Sequence, residues 1–201
     1  MTSIQVTPEF IVKNAKVMSD LLKTLKDREG SCGRLFGDYE ERYSFAPATT
    51  RKSYYCCFPG GLCFHSLSVL KWMKRLNNIG YNLEDGTFVK LAFIHGFGKI
   101  GSVEHPYYIE KDSSWHREQG ILYETNSDLQ YMSVPHRSLW WAHEYGIDLS
   151  TDEYLAILLQ DGVNEETSAY KYKLPAIALL LQTAIQFACH EEKKIDFISC
   201  V

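Results

Sequence analysis

Pro59-Gly60-Gly61-Leu62-Cys63-Phe64-His65-Ser66-Leu67-Ser68-Val69 is the stretch that decides the fold. A proline followed by two glycines interrupts regular structure, because glycine reaches backbone conformations that other residues avoid. Directly after it, Leu62, Val69, Leu70, Met73 and Leu76 recur at helical spacing, the mark of one buried helix face. The stretch therefore predicts a helix over about residues 62–77, with His65 on or beside its apolar stripe.

Working outward, Phe88, Leu91, Ala92 and His95 repeat the pattern over about 87–97, after a turn at 82–86. Gly96, Gly98 and Gly101 then close that helix. At the N-terminal side, Thr7 can cap a helix, Pro8 suits its first position and Glu9 favours its positive end. Phe10, Ile11, Val17, Met18, Leu21, Leu22 and Leu25 follow at helical spacing. Residues 30–37 read as a turn region around Gly33, and residues 38–58 as irregular and aromatic. Further on, Tyr107, Tyr108 and Ile109 face Ile121, Leu122 and Tyr123 across a polar stretch, which predicts a small β-hairpin inserted within about 102–133. A helix near 135–145 comes next, then a capping box of Ser150 and Glu153 opening a helix through Leu159, stopped by Asp161-Gly162. Residues 163–172 read as a polar loop, and the last helix, about 174–192, is apolar nearly all round and expected to be central and buried. The expected fold class is mostly α, a helical bundle with one small inserted β-hairpin. It is read as a single domain over 1–201, whose first 37 residues are the N-terminal helix and turn.

Composition narrows the function classes. A formal net charge of -4 argues against generic nucleic-acid coating, which needs a broad basic surface. No apolar run reaches the ~18 residues of a membrane span, and the first residues lack the apolar core of a signal peptide. Cys32, Cys56, Cys57, Cys63, Cys189 and Cys200 follow no zinc spacing. They read as reduced thiols of a cytoplasmic protein, most of them packing residues.

Several segments, in order, resemble the HD-domain phosphohydrolases, in particular phage-encoded ones. Phe45-Ala46-Pro47-Ala48-Thr49-Thr50 stands where that family has a "PAS/T" stretch, and Gly60 through Val69 matches its "GGL-x-x-HS-x-x-V". Leu91 through Gly101 is similar to "LLHD-x-x-KIG", Val134 through Ser138 to "GHGEKS", and Ile157 through Gly162 to "IR-x-H-x-G". Gln182-Thr183-Ala184-Ile185 falls on the closing "AD" helix. The resemblance covers roughly residues 20–192 and implies an HD-domain-like helical bundle with a divalent-metal centre. In the family that metal activates water and polarises a phosphoryl oxygen.

The departures matter more than the matches. His65 and His95 stand at metal-ligand positions, but Gly96 and Ile185 replace the two aspartates and Gln160 a further histidine. Val134 replaces another histidine, with His136 two positions later, and Tyr55 stands where relatives carry a histidine. Two imidazoles without carboxylates suit magnesium or manganese poorly and leave zinc short of ligands. The resemblance thus implies a pseudoenzyme with no resident metal and no catalytic residues, His65 and His95 being vestigial.

Its pocket candidates are Arg51, Lys52, Tyr55, His65, His95, Lys99, His136, Arg137, Gln160 and Asp161. Each has a plainer reading. The two histidines can be core residues bonded to backbone carbonyls. Arg137 either binds phosphate in a bidentate fashion or is solvated on a helix turn. Lys99 either pairs a phosphate or sits at the surface. Arg51 and Lys52 form either a basic lip that stacks a base or an ordinary charged loop, and Asp161 reads as a turn residue. Of Trp140 and Trp141, one ring is expected in the core and the other over a groove or a partner, compatible with a homodimer face.

Three functions remain open at this point. The first is binding of a nucleotide or other phosphorylated ligand without hydrolysis, for example a phage counter-defence protein, in the host cytoplasm, that sequesters a nucleotide signal. The second is an active nucleotide phosphohydrolase with zinc, manganese or magnesium held by His65, His95, His136 and Asp161. The third is an interaction module or inhibitor of a host enzyme, with the old pocket plugged by side chains such as Tyr55, Gln160 and Ile185.

Overall fold

The computed structural model describes residues 2–78, 83–163 and 173–199. The chain opens with strand β1 (Thr2–Val6) and helix α1 (Pro8–Leu22), then α2 (Ser31–Asp38), α3 (Glu40–Phe45), α4 (Gly61–Asn77) and α5 (Asp85–Ile94). Strand β2 (Tyr108–Glu110), helix α6 (Ser114–Glu118) and strand β3 (Tyr123–Thr125) come next. Helices α7 (Val134–Glu144), α8 (Thr151–Leu158) and α9 (Ala176–Glu192) lead to strand β4 (Ile195–Ser199). The architecture is mostly helical. No helix among the described residues is long and apolar enough to cross a membrane.

Local chemistry sets the helix ends. Thr7 accepts a hydrogen bond from the Phe10 amide at 3.3 Å, capping α1. At α8, Ser150 and Glu153 form both halves of a capping box. Gly60, with φ 91°, turns the chain into α4. Gly61 is forced by packing, since a Cβ there would lie 2.0 Å from the Cys56 carbonyl oxygen. Helices α4 and α9 form the centre. Leu62, Val69 and Met73 of α4 pack with Leu180, Leu181 and Ala184 of α9, along with Leu91 and Phe93 of α5 and Trp141 of α7. A smaller cluster of Val6, Ile11, Ala48, Cys56 and Phe58, backed by Phe64 and Phe197, lies beside β1 and β4.

Several expectations need correction. Residues 30–37 are not a turn, because α2 runs through Gly33 and Gly37; Cys32, Leu35 and Phe36 bury one of its faces, and that burial outweighs glycine's cost of ~1 kcal/mol in a helix. Residues 38–58 contain α3. β1 and β4 pair in parallel, Thr2 with Ile195 through Val6 with Ser199, a sheet with no local signal. β2 and β3 do pair antiparallel, but α6 lies between them, so the insertion is wider than a tight hairpin. α9 is buried along one face only, with Leu179 and Phe187 exposed at 47% and 43%. Most of the polar loop expected at 163–172 lies outside the described residues.

Candidate functional site

His65 comes from the first half of α4 and is 2% exposed. Its Nδ1 shares a hydrogen bond of 2.8 Å with Oε2 of Glu192, the last residue of α9 and also 2% exposed. Sequence reasoning missed Glu192. The signal is present, however. Leu181, Ala184 and Ala188 form the buried stripe of α9, and Glu192 is its next member at helical spacing. A carboxylate that continues an apolar stripe must find a polar partner inside the protein.

Around this pair the structure gathers four of the residues singled out above. The Tyr55 ring lies 4.6 Å from that of His65, and the His95 ring 5.7 Å from it, centroid to centroid. Lys99 is partly buried. It donates to the Ala48 carbonyl at 2.8 Å and to the Tyr55 hydroxyl at 3.2 Å, with its ammonium over the Tyr55 ring. Burial pushes the Lys99 pKa down, against the pull of surrounding anionic groups such as Asp161 and Glu192, and it pushes the Tyr55 phenol up. His95 closes α5, and its Nδ1 donates to the Ala92 carbonyl at 2.8 Å. Its pKa falls to about 3, first through burial and then through the neighbouring His65 and Lys99. His95 is therefore a neutral imidazole whose proton sits on Nδ1. Its own carbonyl accepts from Gln160 Nε2 at 2.9 Å and Ser138 Oγ at 3.2 Å, which ties α5, α7 and the end of α8 together. Two thiols face the same centre. Burial and then Glu192 raise the Cys56 thiol well above its usual range, and raise the Cys189 thiol to about 11.

Arg137 is not a solvated arginine. It is 4% exposed, donates to the Gln130 carbonyl at 2.8 Å and lies over the Tyr107 ring, with its Nε unbonded. Asp161 is exposed after α8, but its charge acts on Tyr55, Lys99 and Tyr107. The remaining candidates are not in the centre. His136 is exposed and bonded to Ser133 Oγ at 2.6 Å. Arg51 and Lys52 are exposed beside the β2–β3 insertion, through the Arg51–Ile121 bridge and the Lys52 amide bond to the Gly120 carbonyl. Of the Trp pair, Trp141 is buried and donates to the Gly101 carbonyl at 3.0 Å, while Trp140 is half-buried.

The donor set does not fit a divalent metal. Among the described residues no three His, Cys, Asp or Glu side chains stand together as a metal-holding group, so His65, His95, His136 and Asp161 do not converge as the second reading requires. At Gly96 a Cβ would lie 3.0 Å from Leu62 Cδ1, so a carboxylate there would press on α4. Ile185 packs against the main core.

Fold and site together define a mostly helical protein organised around a buried histidine–carboxylate pair. No family model, no curated protein and no solved structure matches the chain.

Proposed function

We propose that the chain is a catalytically inactive protein of the HD phosphohydrolase type that binds a nucleotide or another phosphorylated ligand without hydrolysing it. The observation that carries this reading is two cations, Lys99 and Arg137, that the fold draws in from solvent without an anion. Lys99 and Arg137 sit on adjoining segments, with a Cβ at Gly98 falling 3.1 Å from Arg137 Cβ. Neither makes an ion pair among the described residues, whereas the partly buried Lys90 and Lys111 do. Burying a cation without an anion is costly, and a phosphate supplies the missing charge in the form arginine and lysine hold best. Tyr55 and Tyr107 stand beside them as stacking surfaces. Hydrolysis is set aside because the one carboxylate beside the imidazoles, Glu192, is bonded to His65 Nδ1, and no third metal donor stands with them among the described residues. Sequestering a nucleotide signal is the act such a protein performs.

Calorimetry and thermal shift across inorganic phosphate, nucleoside mono- and triphosphates, and cyclic di- and trinucleotides test this. At least one phosphorylated compound is expected to bind and be recovered intact. Lys99→Met and Arg137→Met should each weaken it about tenfold, in line with the loss of one charge-assisted contact. No binding across the panel overturns the reading. Turnover with manganese, zinc or cobalt, together with bound metal by elemental analysis, replaces it with the hydrolase.

A further inference from the structure

Arg137 is 4% exposed, so a ligand reaches its guanidinium only if a covering segment moves. The segment bonded to it is 127–132, between β3 and α7. Both ends of that segment are fixed. Asn126 is buried; its amide donates to the Tyr107 carbonyl at 2.9 Å, its Nδ2 donates to the Pro106 carbonyl at 3.2 Å, and its Oδ1 accepts from the Asp128 amide at 3.0 Å. Ser133 caps α7 by accepting from the His136 amide. Between these anchors the chain is held loosely. Ser127, Asp128, Gln130 and Tyr131 are exposed, Tyr131 completely. Leu129 and Met132 are half-buried and join neither apolar cluster. Beyond the turn at Asn126, the hydrogen bond that ties 127–132 to the rest of the described fold runs from Arg137 Nη2 to the Gln130 carbonyl, at 2.8 Å.

A neutral carbonyl is a modest partner for a guanidinium, and an anion bonds it about twice as strongly. A phosphate that takes Arg137 therefore removes the tie of the segment. We infer that segment 127–132 is a strap that gates the Lys99–Arg137 site: the Gln130 carbonyl holds the place on Arg137 that a phosphate takes, and the strap lifts when the phosphate binds. The inference rests on the reading that these two cations take a phosphate, and adds how the site is reached. A segment anchored at both ends with one tie between them opens locally, without unfolding the helices around it.

The test is limited chymotrypsin digestion of the full chain, with the cut after Tyr131 followed by mass spectrometry as fragments 1–131 and 132–201. Where reclosing is fast, the rate of such a cut follows the population of the open form. The probes are inorganic phosphate, AMP, ATP and cyclic di-AMP, each compared with chloride at matched ionic strength and each assayed for binding by calorimetry. A probe that binds is expected to speed the cut at least threefold. Arg137→Met, which removes the tie, should speed it at least threefold without ligand and abolish the response to ligand. Lys99→Met keeps the tie, so it should be cut at the parent's unliganded rate and lose the acceleration as binding weakens. Tyr131→Ala, at a completely exposed position, is the control that identifies the cut. Binding that leaves the rate unchanged or slows it overturns the strap and leaves the Lys99–Arg137 reading standing. An Arg137→Met protein that is folded by circular dichroism and cut no faster does the same; if that variant does not fold, the parent's response to ligand decides alone. No binding by any of the four probes overturns both.

Discussion

Glu192 separates two regions built on opposite terms. On the His65 side the groups are buried against one another: Tyr55, His65 and His95 lie within 6 Å of their neighbours' centroids, and Lys99, His95 and Gln160 each donate to protein groups, though Gln160 Oε1 is unbonded. On the other side lies a groove of about 600 Å³, bounded by the loop 52–59, the β2–β3 insertion and β4, whose lining runs out to the exposed Tyr54, Lys52 and Lys193. A closed polar centre is expensive to disturb, because each group removed strands a buried partner. An open rim is cheap to disturb, because water replaces what is lost. The difference teaches that the two sides answer mutation unequally, although both share one residue.

The largest effect is expected where the closed region is opened. Glu192→Ala removes the partner of the buried His65 Nδ1 and leaves a space at the end of α9. Breaking a buried pair of this kind costs about 3 kcal/mol, to be read from urea denaturation. Glu192→Gln, which keeps size and an acceptor, should cost less than half of that. If Glu192→Ala changes stability by less than about 1 kcal/mol, the His65–Glu192 bond does not hold the centre and the contrast between the two sides fails.

His95 gives a pH signature of the same closed region. Its folded pKa of about 3 lies below the ordinary histidine value of 6.5. Unfolding therefore takes up a proton anywhere between those values, so stability falls as pH drops through this window. The slope approaches ~1.4 kcal/mol per pH unit for one buried group. Replacement by Asn keeps a donor near the Nδ1 position for the Ala92 carbonyl while removing the titration. Chemical denaturation at pH 6.5, 5.5 and 4.5 should show His95→Asn losing less stability per unit than the parent. Identical slopes would show that His95 is already solvated when charged, and the centre is not closed.

How much of this was legible in the sequence follows from the range of each signal. Periodicity and caps act over a few residues, so α1, α4, α7 and α8 could be read from Thr7, Leu62–Leu76, Pro135 and Ser150–Glu153. The same periodicity put His65 and His95 on inward faces, where the structure has them. α2 was hidden because two glycines within eight residues look like a turn unless Cys32, Leu35 and Phe36 are seen to bury a face. The β1–β4 sheet was hidden because its two strands lie at opposite ends of the chain and only tertiary packing brings them together. Glu192 was hidden for a third reason: Glu191-Glu192 reads as a solvated acidic helix end, and only the stripe through Ala184 and Ala188 distinguishes the buried member from the exposed one. His136, Arg51 and Lys52 show the limit for charged residues, since sequence gives their type but not the direction they face.

The smallest effect is expected at the groove rim. Tyr54 is 48% exposed, and its ring contact is with the guanidinium of the exposed Arg51. Tyr54→Ala strands no buried polar group and leaves no internal cavity, so stability should move by less than about 0.5 kcal/mol. The measurement is the same urea denaturation used for Glu192→Ala, and the two results together set the contrast. A loss above about 1.5 kcal/mol at Tyr54 would place it with the closed region. The loop 52–59 would then be a structural clamp over Cys56 and Phe58 rather than an open rim.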